Sequence, residues 1–336
     1  MHTGPGRGGD EGLLHILADG RFHSGAELGR RLGVSRVAVW KRLRRLDERL
    51  GLGLEAVRGR GYRLPRPLEL LDADRIRGGL PPALRARVRV ETRLSLDSTN
   101  AWMLARGLAG APAGCACFAE HQRAGRGRRG RAWISPFGRN IYASLLWRFD
   151  AGPAALGGLS LAVGAALAEA MERLAGVELG LKWPNDLLLA GRKLGGVLLE
   201  VRGEQNGPTL AVLGVGVNFG MPEAAAAAID QPWAELAAAA PGLSRNALAS
   251  AVLEGLVRAC VGYAESGLTP FLESWRRRDV LAGRPVRLHL AGGTESALAR
   301  GVEESGALVV EQAGRLRRLW SGEVSLRPAA GPPGAA

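Results

Sequence analysis

The chain has 336 residues, of which 46% are hydrophobic and 23% charged, and this composition is typical of a soluble protein with two or three domains. Its three cysteines and five scattered histidines predict neither a disulfide framework nor a zinc site, and no apolar run reaches the ~18 residues of a membrane span. No secretory signal pattern opens the chain, so we expect a cytoplasmic protein with reduced thiols and no membrane partner.

The net charge of +13 weakly favours a polyanionic partner. Almost all of the 45 basic residues are arginine, because lysine occurs only as Lys41, Lys182 and Lys193. Where arginine serves as the general cation, a remaining lysine is a candidate for a role that needs a compact ammonium group. Chance is the alternative for each of the three.

Residues 1–66 are predicted to form a winged helix-turn-helix domain, with residues 1–9 disordered. Ser24 followed by Glu27 predicts a capping box at the start of one helix, in which each side chain satisfies an amide of the other. Gly33 allows a sharp turn, and Ser35 can cap the next helix. Pro65 and Pro67 then mark a linker.

The helix after Ser35 has two distinct faces at 100° per residue. One face is apolar and predicts a core, and the other carries basic and large apolar side chains suited to phosphates and base edges. The stretch RGRG that follows predicts a basic wing between two short strands. A solvated basic face on a small packing domain is the alternative. The predicted DNA-binding residues are Val37, Trp40, Lys41, Arg44, Arg45, Arg58 and Arg60.

The stretch QRAGRGRRGRAW contains GRGRRG, which fits the dinucleotide pattern G-x-G-x-x-G. That fingerprint must open a helix, but here a turn and the β-like run Ile141 to Trp147 follow, so we reject a Rossmann interpretation. An RNA-binding arginine tract is typical of disordered segments, whereas this one lies between apolar strands. We therefore predict a glycine-rich loop that folds over a phosphate-bearing ligand with its guanidinium groups and free amides.

Three later motifs also indicate a ligand site. The run LKWPND places polar and aromatic residues between apolar stretches, and RKLGG sets a lysine beside two glycines, where a ligand can approach the backbone. The run GVGVN alternates glycine with valine, which predicts a strand against which something packs closely. From Gly283 onward, short alternating segments separated by turn residues predict a small antiparallel barrel, followed by a disordered tail.

In combination and in this order, DSTN, QRAGRGRRGRAW, KWPND, RKLGG and GVGVN resemble the biotin–protein ligases. The N-terminal helix-turn-helix makes the chain similar to the bifunctional members, which also repress the biotin operon. The resemblance implies a multi-domain α+β protein: a winged helix-turn-helix in residues 1–66, a central α/β catalytic domain like the class II synthetases, with a mixed sheet, in 67–280, and an SH3-like β-barrel in 281–328, before a disordered tail at 329–336.

The resemblance also implies a two-step reaction with biotin and Mg-ATP as substrates and no tightly bound cofactor. It assigns catalysis to Lys193, Arg126 and Arg128. It assigns biotin binding to Ser98, Thr99, Asn100, Gln122, Arg126, Gly127, Arg128, Lys193 and Gly196. It assigns ATP or adenylate binding to Lys182, Asn185, Asp186, Asn218 and Trp233, with Asp186 as the candidate Mg²⁺ ligand. Capping by Ser98 or Thr99 and core packing by Trp233 are the structural alternatives.

The implied partners are a biotin carboxyl carrier domain of a biotin-dependent carboxylase and operator DNA, the latter bound by a homodimer that forms once biotinyl-AMP is bound. Three alternatives stay open: a ligase whose N-terminal domain does not regulate, a transcription factor that has lost catalysis, and a lipoate ligase. Lys193 and the complete arginine loop argue against lost catalysis, and that loop and the helix-turn-helix argue against a lipoate ligase.

Overall fold

The computed structural model describes residues 9–290, 293–320 and 325–328. Apart from Gly9, the segments predicted to be disordered, 1–9 and 329–336, lie outside these residues. The described chain forms three sheets, of two, seven and five strands. The predicted boundaries after residues 66, 280 and 328 stay predictions.

The N-terminal unit is a helix-turn-helix followed by a two-stranded wing, as predicted. Its elements are α1 (Asp10–Leu17), α2 (Gly25–Leu32), α3 (Arg36–Leu50), β1 (Glu55–Val57) and β2 (Gly61–Arg63). Ser35 caps α3 and Gly33 ends α2 with a φ of 65°. Of the predicted capping box only one half forms: Ser24 accepts from the amide of Glu27, while the Glu27 carboxylate pairs with Arg31 at 2.9 Å.

The central unit is built on a mixed seven-stranded sheet. Its strands are β3 (Arg89–Arg93), β4 (Cys115–Ala119), β5 (Ile141–Phe149), β6 (Leu179–Lys182), β7 (Asp186–Leu189), β8 (Arg192–Arg202) and β9 (Thr209–Val217). They lie in the order β3-β4-β5-β9-β8-β7-β6, with β3 and β4 parallel and the other neighbours antiparallel.

Helices cover the two faces of this sheet unequally. The helices of the unit are α4 (Ala73–Gly78), α5 (Pro82–Arg85), α6 (Thr99–Leu108), α7 (Leu159–Ala175), α8 (Glu223–Ala226), α9 (Leu236–Ala239), α10 (Arg245–Ser266) and α11 (Thr269–Arg278). Helices α7, α10 and α11 share one large core with one face. Helix α6 packs on the other face, over β4, β5 and β9, in a smaller cluster. The uncovered part of that face is left for a cavity.

Two helical segments, Pro153–Ala175 and Arg245–Ser266, are long and apolar enough to span a membrane by length and composition, which the sequence analysis did not anticipate. In the apolar 18-residue stretch of each segment, the buried share is 72% for the first and 61% for the second. Their apolar surface is therefore that of core helices, which pack against each other and against the sheet.

A buried ion pair fixes the strand end that leads into the arginine-rich stretch. Arg245, 1% exposed, donates to the carboxylate of Glu120 just after β4, and also to the backbone carbonyls of Asn140 and Glu69. A buried charge needs several such partners, because each lost water contact is costly. The arrangement ties the interdomain linker, β4 and α10 together.

The C-terminal strands form a five-stranded antiparallel sheet in the order β13-β12-β11-β10-β14. They are β10 (Pro285–Leu290), β11 (Gly293–Val302), β12 (Leu308–Gln312), β13 (Arg315–Leu319) and β14 (Ser325–Pro328). Pairing of β13 with β14, which would close a barrel, is not seen among the described residues, so the SH3-like barrel is not confirmed. The sheet docks on the central core, and the Trp183 indole donates to the carbonyl of Gly306 at 3.2 Å.

Candidate active site and nucleic-acid interface

One cavity of about 920 Å³ lies on the face of the central sheet that α6 covers only in part. It gathers segments that are far apart in the chain: the start of α6, the arginine-rich loop, the β6–β7 turn, strands β8 and β9, and residues 228–233. Every residue predicted for biotin or ATP lines it, namely Ser98, Thr99, Asn100, Gln122, Arg126, Gly127, Arg128, Lys182, Asn185, Asp186, Lys193, Gly196, Asn218 and Trp233.

The first turn of α6 supplies neutral hydrogen-bonding groups. Ser98 caps the helix by accepting from the amide of Ala101 at 3.4 Å. The Gln122 carbonyl oxygen accepts from the amide of Thr99 at 2.9 Å and from its hydroxyl at 3.1 Å, which turns the Gln122 amino group toward Ser135 at 3.3 Å. The Gln122 amino group carries two hydrogens, so one remains for a ligand.

The glycines of GVGVN leave room for two bulky groups, as the alternation predicted. A Cβ on Gly214 would lie 2.1 Å from the amide oxygen of Asn100, and one on Gly216 would lie 2.5 Å from the ring of Trp133. Trp133 lines the cavity, and its indole N–H is buried without a hydrogen-bond partner. The sequence predicted close packing here, but it did not identify Asn100 and Trp133 as the groups that pack.

The predicted loop lies between β4 and β5 and does not open an α-helix, which confirms the rejection of a Rossmann turn. It folds back on itself, since the amide of Gly127 donates to Arg131 at 2.7 Å and the amide of Trp133 to Gly125 at 2.9 Å. Arg128 reaches the KWPND segment and donates to the Asn185 side chain at 3.1 Å.

The loop brings like charges together in a partly enclosed place. Burial and the neighbouring Arg129 lower the pKa of Arg128, although the guanidinium remains charged at neutral pH. Clustered cations favour a polyanionic ligand, because the ligand relieves their mutual repulsion.

Lys193 and Asp186 face each other across neighbouring strands β8 and β7. The Lys193 ammonium lies 2.8 Å from a carboxylate oxygen of Asp186, with each side chain 19% exposed, and 5.9 Å from the ring centre of Trp133. The ammonium is thus partly shielded and held at the cavity wall. Asp186 is suited to one carboxylate contact on an Mg²⁺ carried in by a nucleotide, because Mg²⁺ binds through one or two carboxylates plus substrate phosphates.

No group of three or more Asp, Glu, His or Cys side chains that could hold a metal occurs within the residues that the structure describes. Asn218 is 4% exposed and donates to the carbonyl of Ala234 at 3.1 Å. Trp233 is half-buried, and its segment pairs with β8, where the amide of Lys193 donates to Pro232 at 3.0 Å. Trp233 is thus not a plain core tryptophan, because it lines the cavity.

A second candidate interface lies on the N-terminal unit. Val37 and Trp40 are 61% and 45% exposed on α3, and Lys41 and Arg44 are exposed on the same face. Arg45 is exposed too, but it turns toward α1 and pairs with Asp10 at 3.2 Å. Large apolar groups on the outside of a small domain indicate a binding surface.

The wing also carries exposed basic side chains. Arg58 and Arg60 are exposed, and the Arg60 guanidinium stacks on the Phe22 ring at 4.1 Å. This cation–π contact orients Arg60.

Family models match three parts of the chain: an HTH domain at residues 11–63, the Biotin/lipoate A/B protein ligase family at residues 93–218, and the Biotin protein ligase C terminal domain at residues 282–327. Among solved structures, the biotin protein ligase from Aquifex aeolicus in complex with biotin and ATP is similar, with a TM-score of 0.60 and 26% identity. The match covers 72% of this chain and 99% of that one.

Curated relatives match nearly the whole chain. The bifunctional ligase/repressor BirA of Salmonella typhimurium is 42% identical over 317 residues, which is 94% of this chain and 97% of the relative. The protein of the same name from Bacillus subtilis is 30% identical and covers 93% and 96%, respectively. Together with the cavity and the helix-turn-helix, these likenesses establish that the chain belongs to the family of bifunctional biotin ligase/repressors.

Proposed function

We propose that this chain is an ATP-dependent biotin–protein ligase. A carboxylate oxygen of biotin attacks the α-phosphorus of ATP, the bond to the β-phosphate oxygen breaks, and biotinyl-5′-AMP and pyrophosphate form. The ε-amine of a carrier lysine then attacks the carbonyl carbon of the mixed anhydride, loses a proton and displaces AMP. The observation that carries the proposal is that one cavity joins a neutral hydrogen-bonding end, around Thr99 and Gln122, to a cationic end.

The two ends suit the two substrates. The neutral groups of Ser98, Thr99 and Gln122 match the uncharged ring system of biotin. The cations Arg126, Arg128 and Lys193 lie where a carboxylate and a triphosphate must be brought together against their mutual repulsion. Lys193 is well placed between them, because its compact ammonium can leave Asp186 for the developing charge on the α-phosphate.

The nucleotide side lies beyond Lys193. Lys182, Asn185 and Asp186 would meet the pyrophosphate portion and its Mg²⁺, while Asn218 and Trp233 would lie along the adenine. The arginine loop and residues 228–233 both border the cavity, so they can shield the anhydride from water.

A direct test incubates the purified protein with biotin and Mg-ATP and follows pyrophosphate release and the mass of the adenylate. Addition of a biotin carboxyl carrier domain should then shift the mass of its lysine-bearing peptide by one biotinyl group. Lipoate in place of biotin separates the lipoate-ligase alternative, because the two acyl groups add different masses. Equal transfer of both, or transfer of lipoate alone, would refute the assignment.

We further propose that the protein is a biotin-responsive repressor of biotin biosynthesis, because α3 exposes Val37, Trp40, Lys41 and Arg44 together. Homodimerisation with biotinyl-AMP bound would place two such helices on a two-fold operator. A genomic fragment library should yield a palindromic site only with biotin plus Mg-ATP. Equal, salt-sensitive retention of all fragments would instead indicate a ligase whose N-terminal domain does not regulate.

Three further assignments belong to this proposal. The C-terminal sheet closes into an SH3-like barrel, the domains divide after residues 66, 280 and 328, and the protein works in the cytoplasm. The resemblance to the ligase family supports all three.

A further inference from the structure

Glu200 contacts two residues that line the cavity, Asn100 and Arg126, yet no motif pointed to it. It lies on β8 on the same sheet face as Gly196 and Leu198, because alternate residues of a strand share a face. One of its carboxylate oxygens accepts from the amino group of Asn100 at 2.9 Å and lies 3.9 Å from the guanidinium of Arg126.

Asn100 has no hydrogen left to offer a ligand. Its amino group donates to the carbonyl of Leu198 at 3.1 Å as well as to Glu200, and its oxygen accepts from Ser144 at 2.6 Å. Ser144, Gly214 and Leu198 are direct neighbours across β5, β9 and β8, so the amide sits over Gly214 and holds three strands. Asn100, predicted to bind biotin, thereby acts as a clamp that positions the first turn of α6.

The arginine loop is attached to the same strand at two points. Arg126 pairs with Glu200 of β8. Arg128 donates to Asn185, whose amino group in turn donates to the carbonyl of Val197 of β8 at 2.8 Å. The contact of Arg126 with Glu200 is ionic, whereas the Asn185 side chain that accepts from Arg128 is uncharged. Removal of the charge at Glu200 therefore weakens the contact with Arg126 and leaves the hydrogen bond from Arg128 to Asn185 in place.

We propose that Glu200 is a positioning residue that anchors Arg126 and the Asn100 clamp with one carboxylate oxygen. The anchor places the arginine loop against the biotin-binding end before a ligand arrives, so less conformational entropy is lost when biotin binds. Its effect on biotin affinity rests on the proposed function, whereas its effect on the loop in the ligand-free protein does not.

Glu200→Gln separates the two contacts, since the amide keeps an acceptor for Asn100 and loses the charge that attracts Arg126. Glu204→Gln makes the same chemical change at an exposed position just beyond the end of β8 and serves as the control. Trypsin cleavage after Arg128, Arg129 and Arg131, identified by mass spectrometry in the ligand-free protein, reports loop order. Biotin dissociation constants and the KM for ATP are measured on the same samples.

Partly exposed ion pairs contribute modestly, so we expect Glu200→Gln to speed loop cleavage and raise the biotin dissociation constant by about two- to fivefold, with an unchanged KM for ATP. In an Arg126→Ala background it should have no further effect on cleavage, because the partner is gone. Cleavage equal to that of Glu204→Gln, or an undiminished effect in the Arg126→Ala background, would overturn the anchor. If wild-type protein forms no biotinyl-adenylate, the proposed function fails while the cleavage comparison still decides the anchor.

Discussion

Gly214→Ala tests whether the floor of the cavity is built as described. The new methyl carbon would lie 2.1 Å from the oxygen of the Asn100 amide and 2.9 Å from its nitrogen, and Asn100 is only 3% exposed. The amide must therefore move away from Ser144, Leu198 and Glu200. Overpacking a core costs about 1–3 kcal/mol, and leaving buried polar groups unpaired costs about 1–3 kcal/mol more, so we expect a loss of about 2–6 kcal/mol in the free energy of unfolding.

Urea unfolding followed by circular dichroism measures this loss, and calorimetric titration measures the accompanying loss of biotin affinity. Gly220→Ala is the matched control, because its nearest contact would be an ordinary 3.8 Å and its φ is not positive. In the Asn100→Ala background the new methyl group has room. The loss of stability in the double variant should therefore be smaller than the sum of the losses in the two single variants. A Gly214→Ala variant as stable as Gly220→Ala, or fully additive losses, would refute the packing argument.

Four further changes test other parts of the molecule. Lys193→Ala should remove most of the adenylation rate, measured by pyrophosphate release, without unfolding the protein; normal adenylate formation would contradict the role given to the ammonium that lies beside Asp186. Arg128→Ala should release trapped adenylate roughly tenfold faster, because a charge-assisted contact contributes about 1.5 kcal/mol or more; an unchanged release rate would count against it. Burial raises the pKa of Glu69, but hydrogen bonds from Ser244 and Asn246 outweigh burial and lower the pKa below 4.5. The stability that this carboxylate contributes is therefore present above pH 4.5 and is lost as the pH falls through the lowered pKa. Glu69→Gln should flatten the acid side of a stability–pH profile, and an equally steep profile would refute the assignment. Trp40→Ala should weaken binding of the selected operator, measured by fluorescence anisotropy, and leave biotin transfer intact; unchanged operator affinity would remove Trp40 from the interface.

Local patterns in the sequence were sufficient wherever the physics is local. Ser35 caps α3 and Gly33 turns the chain because both act within a few residues of themselves. The apolar face of α3 became core as predicted, with Val39, Leu43 and Leu46 buried. The Glu27 half of the capping box did not form, since its half-buried carboxylate pairs with a cation, Arg31, one helical turn away.

The motifs also determined which residues would meet, although not how. All the predicted biotin and nucleotide residues line one cavity, and the glycines at 214 and 216 correctly indicated close packing. The sequence could not name the groups that fill those spaces, because Asn100 and Trp133 lie far away along the chain. Strand register decides this, since it sets Ser144, Gly214 and Leu198 side by side under one amide.

The sequence also gave no indication that Glu200 belongs near the candidate site. In the sequence it is one acidic residue at the end of a strand-like run, without a motif of its own. Only the folded sheet gives it two partners, Asn100 from α6 and Arg126 from the loop, some 100 and 74 positions away. Composition, caps and periodicity arise from near neighbours and can be read from the chain alone. Contacts between segments depend on how the strands pair and which sheet face the helices leave open, and the tertiary structure decides both.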